Sequence, residues 1–191
     1  MNQTKAPRAV EGIEVPEPGD WQLDPVHTCL TFTARQLMVT KVHGKFTGVS
    51  GTIHLSENPA ESSVEVEIDP ASLETGSKRR DAHLCSPAYL GVERYPEITF
   101  RSTEIEGSSP AHFLVRGDLT VHGVTRPVTL DVEYHGWAPD PPGGRRACLS
   151  ATTEVNRADF GVTWTAALEG GGVVVGNKIR LELEVEAIKQ P

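Results

Sequence analysis

Residues 179–188 read IRLELEVEAI. Ile179, Leu181, Leu183, Val185 and Ala187 alternate with Arg180, Glu182, Glu184 and Glu186. A helix would spread these charges around its circumference. A strand sends every second side chain to one face, so only a strand separates this set into an apolar and a charged side. The segment therefore predicts a strand with one face buried and the other in water.

The same period of two recurs upstream. Leu30, Phe32 and Ala34 share a parity in CLTFTAR (29–35), and Val64, Val66 and Ile68 alternate with Glu65 and Glu67. Phe46, Val49, Ile53 and Leu55 come from KFTGVSGTIHL (45–55), where Gly48 and Gly51 predict a bulge or a close backbone approach. Ile98 and Phe100 open ITFRSTEIE (98–106), and Phe113, Val115, Leu119 and Val121 follow in HFLVRGDLTVH (112–122). Val128, Leu130, Val132 and Tyr134, then Leu149, Ala151 and Val155, complete the set. Turn-forming stretches separate them: SENPAESS (56–63), EGSSPA (106–111), HGVTRP (122–127) and APDPPGGRR (138–146).

The reading is all-β, about eight strands, antiparallel because no long helical crossover intervenes. Such strands bury one face each as a sandwich or as a closed barrel, and strands of about ten residues favour the barrel. Its inward set is mostly Val, Leu, Ile, Ala and Gly, with aromatic residues only 6% of the chain. An eight-stranded barrel filled so lightly leaves room for an apolar ligand, and a fully packed core is the alternative.

Two segments break the alternation. RQLMVTKVH (35–43) predicts a short helix or turn that places Leu37 and Met38 near a barrel mouth. SKRRDAHLCSPAYL (77–90) crowds three cations, an acid and a histidine into its first seven residues. Ser77 is placed to cap a short helix, and Pro87 ends it. Leu84, Cys85, Tyr89 and Leu90 then form an apolar side that could seal a barrel end. For the charges, three readings stand. Asp81 and an arginine form a salt bridge that pins the excursion; Arg80 and His83 bind an anion; or Arg80, Asp81 and His83 act as catalysts.

The 191 residues fit one domain, read as an N-terminal tail over 1–19 and a barrel over 20–191. A net charge of -8 argues against nucleic acid or an anionic membrane as partner. No apolar run approaches the length of a membrane-spanning helix, so no stable membrane insertion is expected. The N-terminal stretch has no apolar core of a secretory signal, and Cys29, Cys85 and Cys148 lack any Cys-x-x-Cys spacing. A cytoplasmic protein with reduced thiols is the expectation. None of the seven histidines makes a zinc-binding spacing, and neither a Gly-x-Ser-x-Gly elbow nor a phosphate loop is present. LEGGGVVVG (168–176) reads as a hairpin loop. No metal, cofactor or catalytic residue is expected.

Seven blocks occur in a fixed order: WQLDPVHTCLTF (21–32), VHGKFTGVSGTI (42–53), RDAHL (80–84), YPEITF (95–100), VRGDLTVHGVTRPVTL (115–130), NRADFGV (156–162) and VGNKIRLELEVEA (175–187). Together they resemble the YceI-like family, polyisoprenoid-binding proteins with a lipocalin-like barrel. Arg35 stands where that family usually has a histidine, and Tyr89 where it usually has phenylalanine. The resemblance implies an eight-stranded antiparallel barrel with short helices over one opening. It implies a carrier without catalysis, whose pocket takes a polyprenyl phosphate or quinone tail, and a protein that can form homodimers. Strand parity then gives the lining candidates: Phe32, Leu37, Val42, Phe46, Leu84, Tyr89, Phe100, Phe113, Val115, Leu119, Val132, Phe160 and Trp164, with Arg80 and His83 for a head group.

Overall fold

The computed structural model describes residues 8–10, 13–37, 39–139, 144–165 and 175–191. Its strands, in chain order, are β1 (Arg8–Val10), β2 (Ile13–Val15), β3 (Gly19–Leu23), β4 (Cys29–Gln36), β5 (Thr40–Phe46), β6 (Val49–Leu55), β7 (Ser63–Ile68), β8 (Leu73–Glu74), β9 (Ile98–Ser109), β10 (His112–Val121), β11 (Val124–Pro139), β12 (Arg145–Asn156) and β13 (Val175–Lys189). One α-helix, α1 (Lys78–Cys85), stands between β8 and β9.

Hydrogen bonding runs β12-β11-β10-β9-β7-β6-β3-β13, and β13 pairs back onto β12. Eight antiparallel strands thus close a ring, as the alternating pattern predicts. β4, β5 and β8 are continuations of ring strands beyond a corner. β3 and β4 both lie along β13, with Leu23 opposite Ala187 and Leu30 opposite Leu183. β5 runs into β6, and β7 into β8, across short breaks. The breaks sit side by side: the Asp69 amide donates to the Gly48 carbonyl at 2.8 Å, and the Gly48 amide donates to Ser72 Oγ at 2.8 Å. The one-residue slip in parity between Phe46 and Val49 is this corner. Gly51 has the close approach expected of it, since a Cβ there would stand 2.3 Å from the Glu65 carbonyl oxygen.

The inward faces meet as one apolar lining. Val66 lies opposite Phe100, Phe100 opposite Leu119, Val115 opposite Leu130, and Leu149 opposite Val185. The corner half is packed solid around Leu23, Phe46, Val49 and Ile68. At the far end Trp21, Tyr134, Ala147 and Ala187 form a second buried cluster.

Three features add detail to these expectations. Of the short helix or turn expected over 35–43, the turn is found: β4 and β5 make a hairpin whose pairs run to Gln36 opposite Thr40, and Leu37 takes a left-handed φ of 52°. Met38 and most of 168–176 lie outside the described residues. Within the 1–19 segment, β1 and β2 pair with each other, and both β2 and the residues after it are tied to the wall. The Trp137 indole N–H donates to the Glu14 carboxylate, and Arg145 meets Glu17 at 2.9 Å. β3 itself begins at Gly19. Finally, α1, with the turn that follows it, covers one opening of the ring, and Arg157–Phe160 form a short 3-10 helix after β12.

Candidate ligand site

Chain direction places α1. β8 runs antiparallel to β5, with Lys45 opposite Glu74, so the chain leaving Glu74 heads toward the tip of the β4–β5 hairpin. Among the described residues no strand continues the wall beyond β8, and the chain after it forms α1. The helix forms over Lys78–Cys85 as expected, but the Ser77 side chain caps nothing. The anchor is Thr75 instead. Asp81 Oδ1 accepts from the Thr75 amide at 2.9 Å and from its hydroxyl at 2.5 Å. Arg80 Nε donates to that hydroxyl at 2.7 Å, and Arg80 Nη2 donates to the Thr75 carbonyl at 2.7 Å. Both charged groups therefore hold the excursion, through Thr75 and not through the expected salt bridge. A charged pair on a compact hydroxyl satisfies all three partners while the guanidinium stays in water.

Past the helix, Pro87 lies in a turn closed by the Leu90 amide on the Leu84 carbonyl at 3.0 Å. Leu84, Cys85 and Leu90 pack on the barrel core. Tyr89 is 6% exposed, and burial pushes its phenol up from the ordinary value. Its ring lies 5.0 Å from that of Trp164, and the His83 ring meets both edge-on at 5.1 and 4.9 Å. His83 itself is exposed, so it stands at the rim and lends Tyr89 and Trp164 a polar edge.

The other lining candidates divide. Phe46, Phe100, Val115, Leu119 and Phe160 are buried in the core, and Phe32, Leu84, Phe113 and Val132 are only partly buried against it. Val42 lies opposite Ala34 on the inward parity nearer the hairpin tip. Leu37 is 47% exposed at the tip, with a left-handed backbone. Val128, Leu130, Val155, Leu181, Leu183 and Val185 belong to the partly buried inner row and were not among the candidates. Their parity was legible, and only the closure of β13 on β12 shows that they share one interior with Phe32.

Two glycines shape that interior. A Cβ on Gly44 would lie 2.3 Å from Phe32 Cζ, and one on Gly117 would lie 2.5 Å from Phe100 Cζ. Each ring lies flat across the neighbouring strand in space that any side chain would fill. Two open depressions, of about 370 and 410 Å3, sit beside Trp137 and beside Pro25, apart from the inner row and the His83–Tyr89–Trp164 group.

Two polar constructions support the frame and were not singled out from sequence. Arg157, 7% exposed, donates to four carbonyls: Val162 and Trp164 at 2.7 and 2.9 Å, and Gly176 and Val175 at 3.1 Å each. It ties the chain after β12 to the start of β13, beneath Tyr89 and Trp164. At the corner, Arg146 Nη1 donates to the carboxylates of Asp24 and, at 2.8 Å, Glu186. His27 Nδ1 lies 2.7 Å from Asp24 Oδ2. Hydrogen bonds from Arg146, then from His27 and the Val26 amide, hold the Asp24 carboxyl well below the usual carboxylate range. Asp24, His27 and Glu186 bring three potential metal donors within 4.8 Å of one another. The Arg146 cation already bridges both carboxylates, so the donor set is that of an ion network.

No helix among the described residues is long and apolar enough to cross a membrane. Comparison with known proteins agrees with this architecture. A UPF0312 protein of Pseudomonas putida strain GB-1 is 35% identical over 165 residues, which cover 86% of this chain and 82% of that one. A crystal structure of a Campylobacter jejuni YceI protein superposes with a TM-score of 0.68 at 28% identity, covering 82% of this chain and 90% of that one. A polyisoprenoid-binding domain from Saccharophagus degradans has the same fold, with a TM-score of 0.68 at 15% identity and 89% and 98% coverage. Residues 21–187 match the profile of the YceI-like domain. From the first ring strand to the last, the chain belongs to the YceI-like family.

Proposed function

We propose that the protein binds and carries a long-chain isoprenoid-type lipid, such as a polyprenyl phosphate or a quinone tail, with its chain inside the barrel and its polar end beside α1. One observation carries this reading. The ring is closed and apolar within, yet Val128, Leu130, Val132, Val155, Leu181 and Leu183 on its inner face are only partly buried. Inward side chains of a solid barrel would be fully covered by one another. The likeness to a polyisoprenoid-binding domain supports the same conclusion.

The energetics suit a carrier. Burying about three isoprene units, each of about five carbons, contributes on the order of 12 kcal/mol at roughly 0.8 kcal/mol per methylene-sized group. Immobilising the lipid removes about a third to a half of that, which leaves about 6–8 kcal/mol, an affinity of micromolar to tens of micromolar. At the rim His83 is the polar group free to meet a head group, because Arg80 Nε and Nη2 are held by Thr75. The same bonds weigh against catalysis by Arg80, Asp81 and His83: two of the three are committed to holding α1. Free Cys29, Cys85 and Cys148 suit a reducing compartment.

A second reading, an interaction module with a solid core, draws on the fully packed corner half around Val49 and Leu23. Mass spectrometry of an organic extract of the purified protein separates the two. An isoprenoid lipid near one per chain is expected. An empty extract, together with no uptake of added decaprenyl phosphate or ubiquinone, overturns the carrier reading.

A further inference from the structure

We propose that the tip of the β4–β5 hairpin is a docking element that seats the α1 end of the barrel on an anionic lipid surface. Three local choices made by the sequence are unfavourable in water and favourable at such a surface.

The first is apolar exposure. Leu37 is 47% and Val39 77% exposed at the very end of the hairpin, where turns are ordinarily polar. Leu37 is moreover held at a φ of 52°, a conformation suited to Gly or Asn. A side chain kept there against both backbone preference and solvation has its gain elsewhere, and insertion among lipid head groups supplies it.

The second is a like-charge pair. Arg35 stands directly opposite Lys41 in the hairpin register, one step from the tip, and both are exposed. Cations facing each other across a ladder repel. Neither shows an acidic partner among the described residues, whereas Lys45 and Lys178 nearby pair with Glu74 and Glu154. Phosphate groups of a membrane turn that repulsion into attraction.

The third is the first turn of α1. Lys78 and Arg79 lie where the helix dipole disfavours cations, at the same end of the barrel as the tip. Acids occur near that end, among them Glu74, Asp81 and Glu154, but Glu74 and Glu154 pair with Lys45 and Lys178, Asp81 is held by Thr75, and none belongs to the hairpin. The overall charge of -8 is an average over the chain, whereas residues 33–46, which make the hairpin, carry Arg35, Lys41 and Lys45 and no acid. The polarity fits the site, because the end that would touch lipid is the end that α1, Tyr89 and Trp164 close.

The purpose of this docking rests on the carrier reading, but its test does not. Vesicles of equal phosphatidylcholine and phosphatidylglycerol, and vesicles of phosphatidylcholine alone, are sedimented with the full chain at low and high salt. Binding to the anionic vesicles at low salt is expected. Leu37→Asp with Val39→Asp, and separately Arg35→Glu with Lys41→Glu, should each lower the partition by about tenfold or more. Both variants change exposed tip residues and should keep the wild-type melting temperature and the same extractable lipid. Absence of wild-type binding, or equal binding by both variants, overturns the proposal. Intact, tip-dependent vesicle binding by a protein whose extract holds no lipid upholds docking and overturns the carrier reading alone.

Discussion

Arg80 Nε donates to Thr75 Oγ1 at 2.7 Å, and that hydroxyl in turn donates to Asp81 at 2.5 Å, so one small side chain holds both charges of the helix that closes the barrel. Valine has the shape of threonine and keeps the two backbone bonds. Thr75→Val should therefore cost about 1–2 kcal/mol, the worth of two such hydrogen bonds. Amide exchange over residues 76–91 should rise well above that of β10 and β11. Unchanged exchange in this segment would show that α1 is held by Leu84 and Leu90 alone.

Gly117 should be intolerant of any side chain. Its Cβ would stand 2.4 Å from the Arg101 carbonyl oxygen as well as against the Phe100 ring. Gly117→Ala is expected to lose about 2–3 kcal/mol through overpacking. Gly107→Ala is the control, since its Cβ would meet Phe113 at an ordinary 3.4 Å. Denaturant midpoints of the two variants should differ clearly, and equal midpoints would contradict the packing described.

Asp24 should govern stability in acid. Its folded pKa is lowered by Arg146, His27 and the Val26 amide, so it contributes stability that is present above its unfolded value, about 3.9, and lost as pH falls through the lowered folded value. Asp24→Asn should destabilise the protein by about 2–3 kcal/mol at neutral pH, because Arg146 keeps Glu186 as a partner. The variant should also flatten the loss of stability below about pH 4, as measured by urea titration at several pH values.

Tyr134 points the other way. Its hydroxyl is buried with no hydrogen-bond partner among the described residues, and burial pushes its pKa up to about 12. A raised folded pKa contributes stability that is complete below the unfolded value, about 10, and lost as pH rises toward 12. Tyr134→Phe removes an unsatisfied polar atom, so it should leave stability unchanged or raise it by about 1 kcal/mol at neutral pH. It should also remove part of the alkaline loss. A strongly destabilised phenylalanine variant would mean that the hydroxyl has a partner.

Much of the fold was legible because a closed apolar interior imposes strict parity, and parity survives in one dimension. Ile179 to Ala187 and Val128 to Tyr134 could be assigned their faces without any partner in view. Seven ordered blocks carried the family. What escaped depends on register. Phe46 and Val49 belong to two strands because three separate breaks align at one corner. Leu37 looked like a pocket residue because its neighbours are apolar, whereas the hairpin pairing of Gln36 with Thr40 puts it at a tip. Asp81 had arginines within helical reach, but its carboxylate turned to Thr75, which precedes the helix. Arg157 sat inside the NRADFGV block with nothing to mark it as an arginine whose guanidinium is buried under four carbonyls.

β13 closes the ring by pairing with β12 on one side and with β3 and β4 on the other, bringing Ala187 against Leu23. During synthesis this strand leaves the ribosome after β1 to β12. Until it docks, β12 on one side and β3 and β4 on the other are open edges, able to capture a strand from any neighbouring chain. The pairing that ends this exposure spans nearly the whole sequence and is slow for that reason. A nascent or truncated chain lacking residues 175–189 should therefore be the aggregation-prone form of this protein, and the last strand is the step at which a chaperone would matter most.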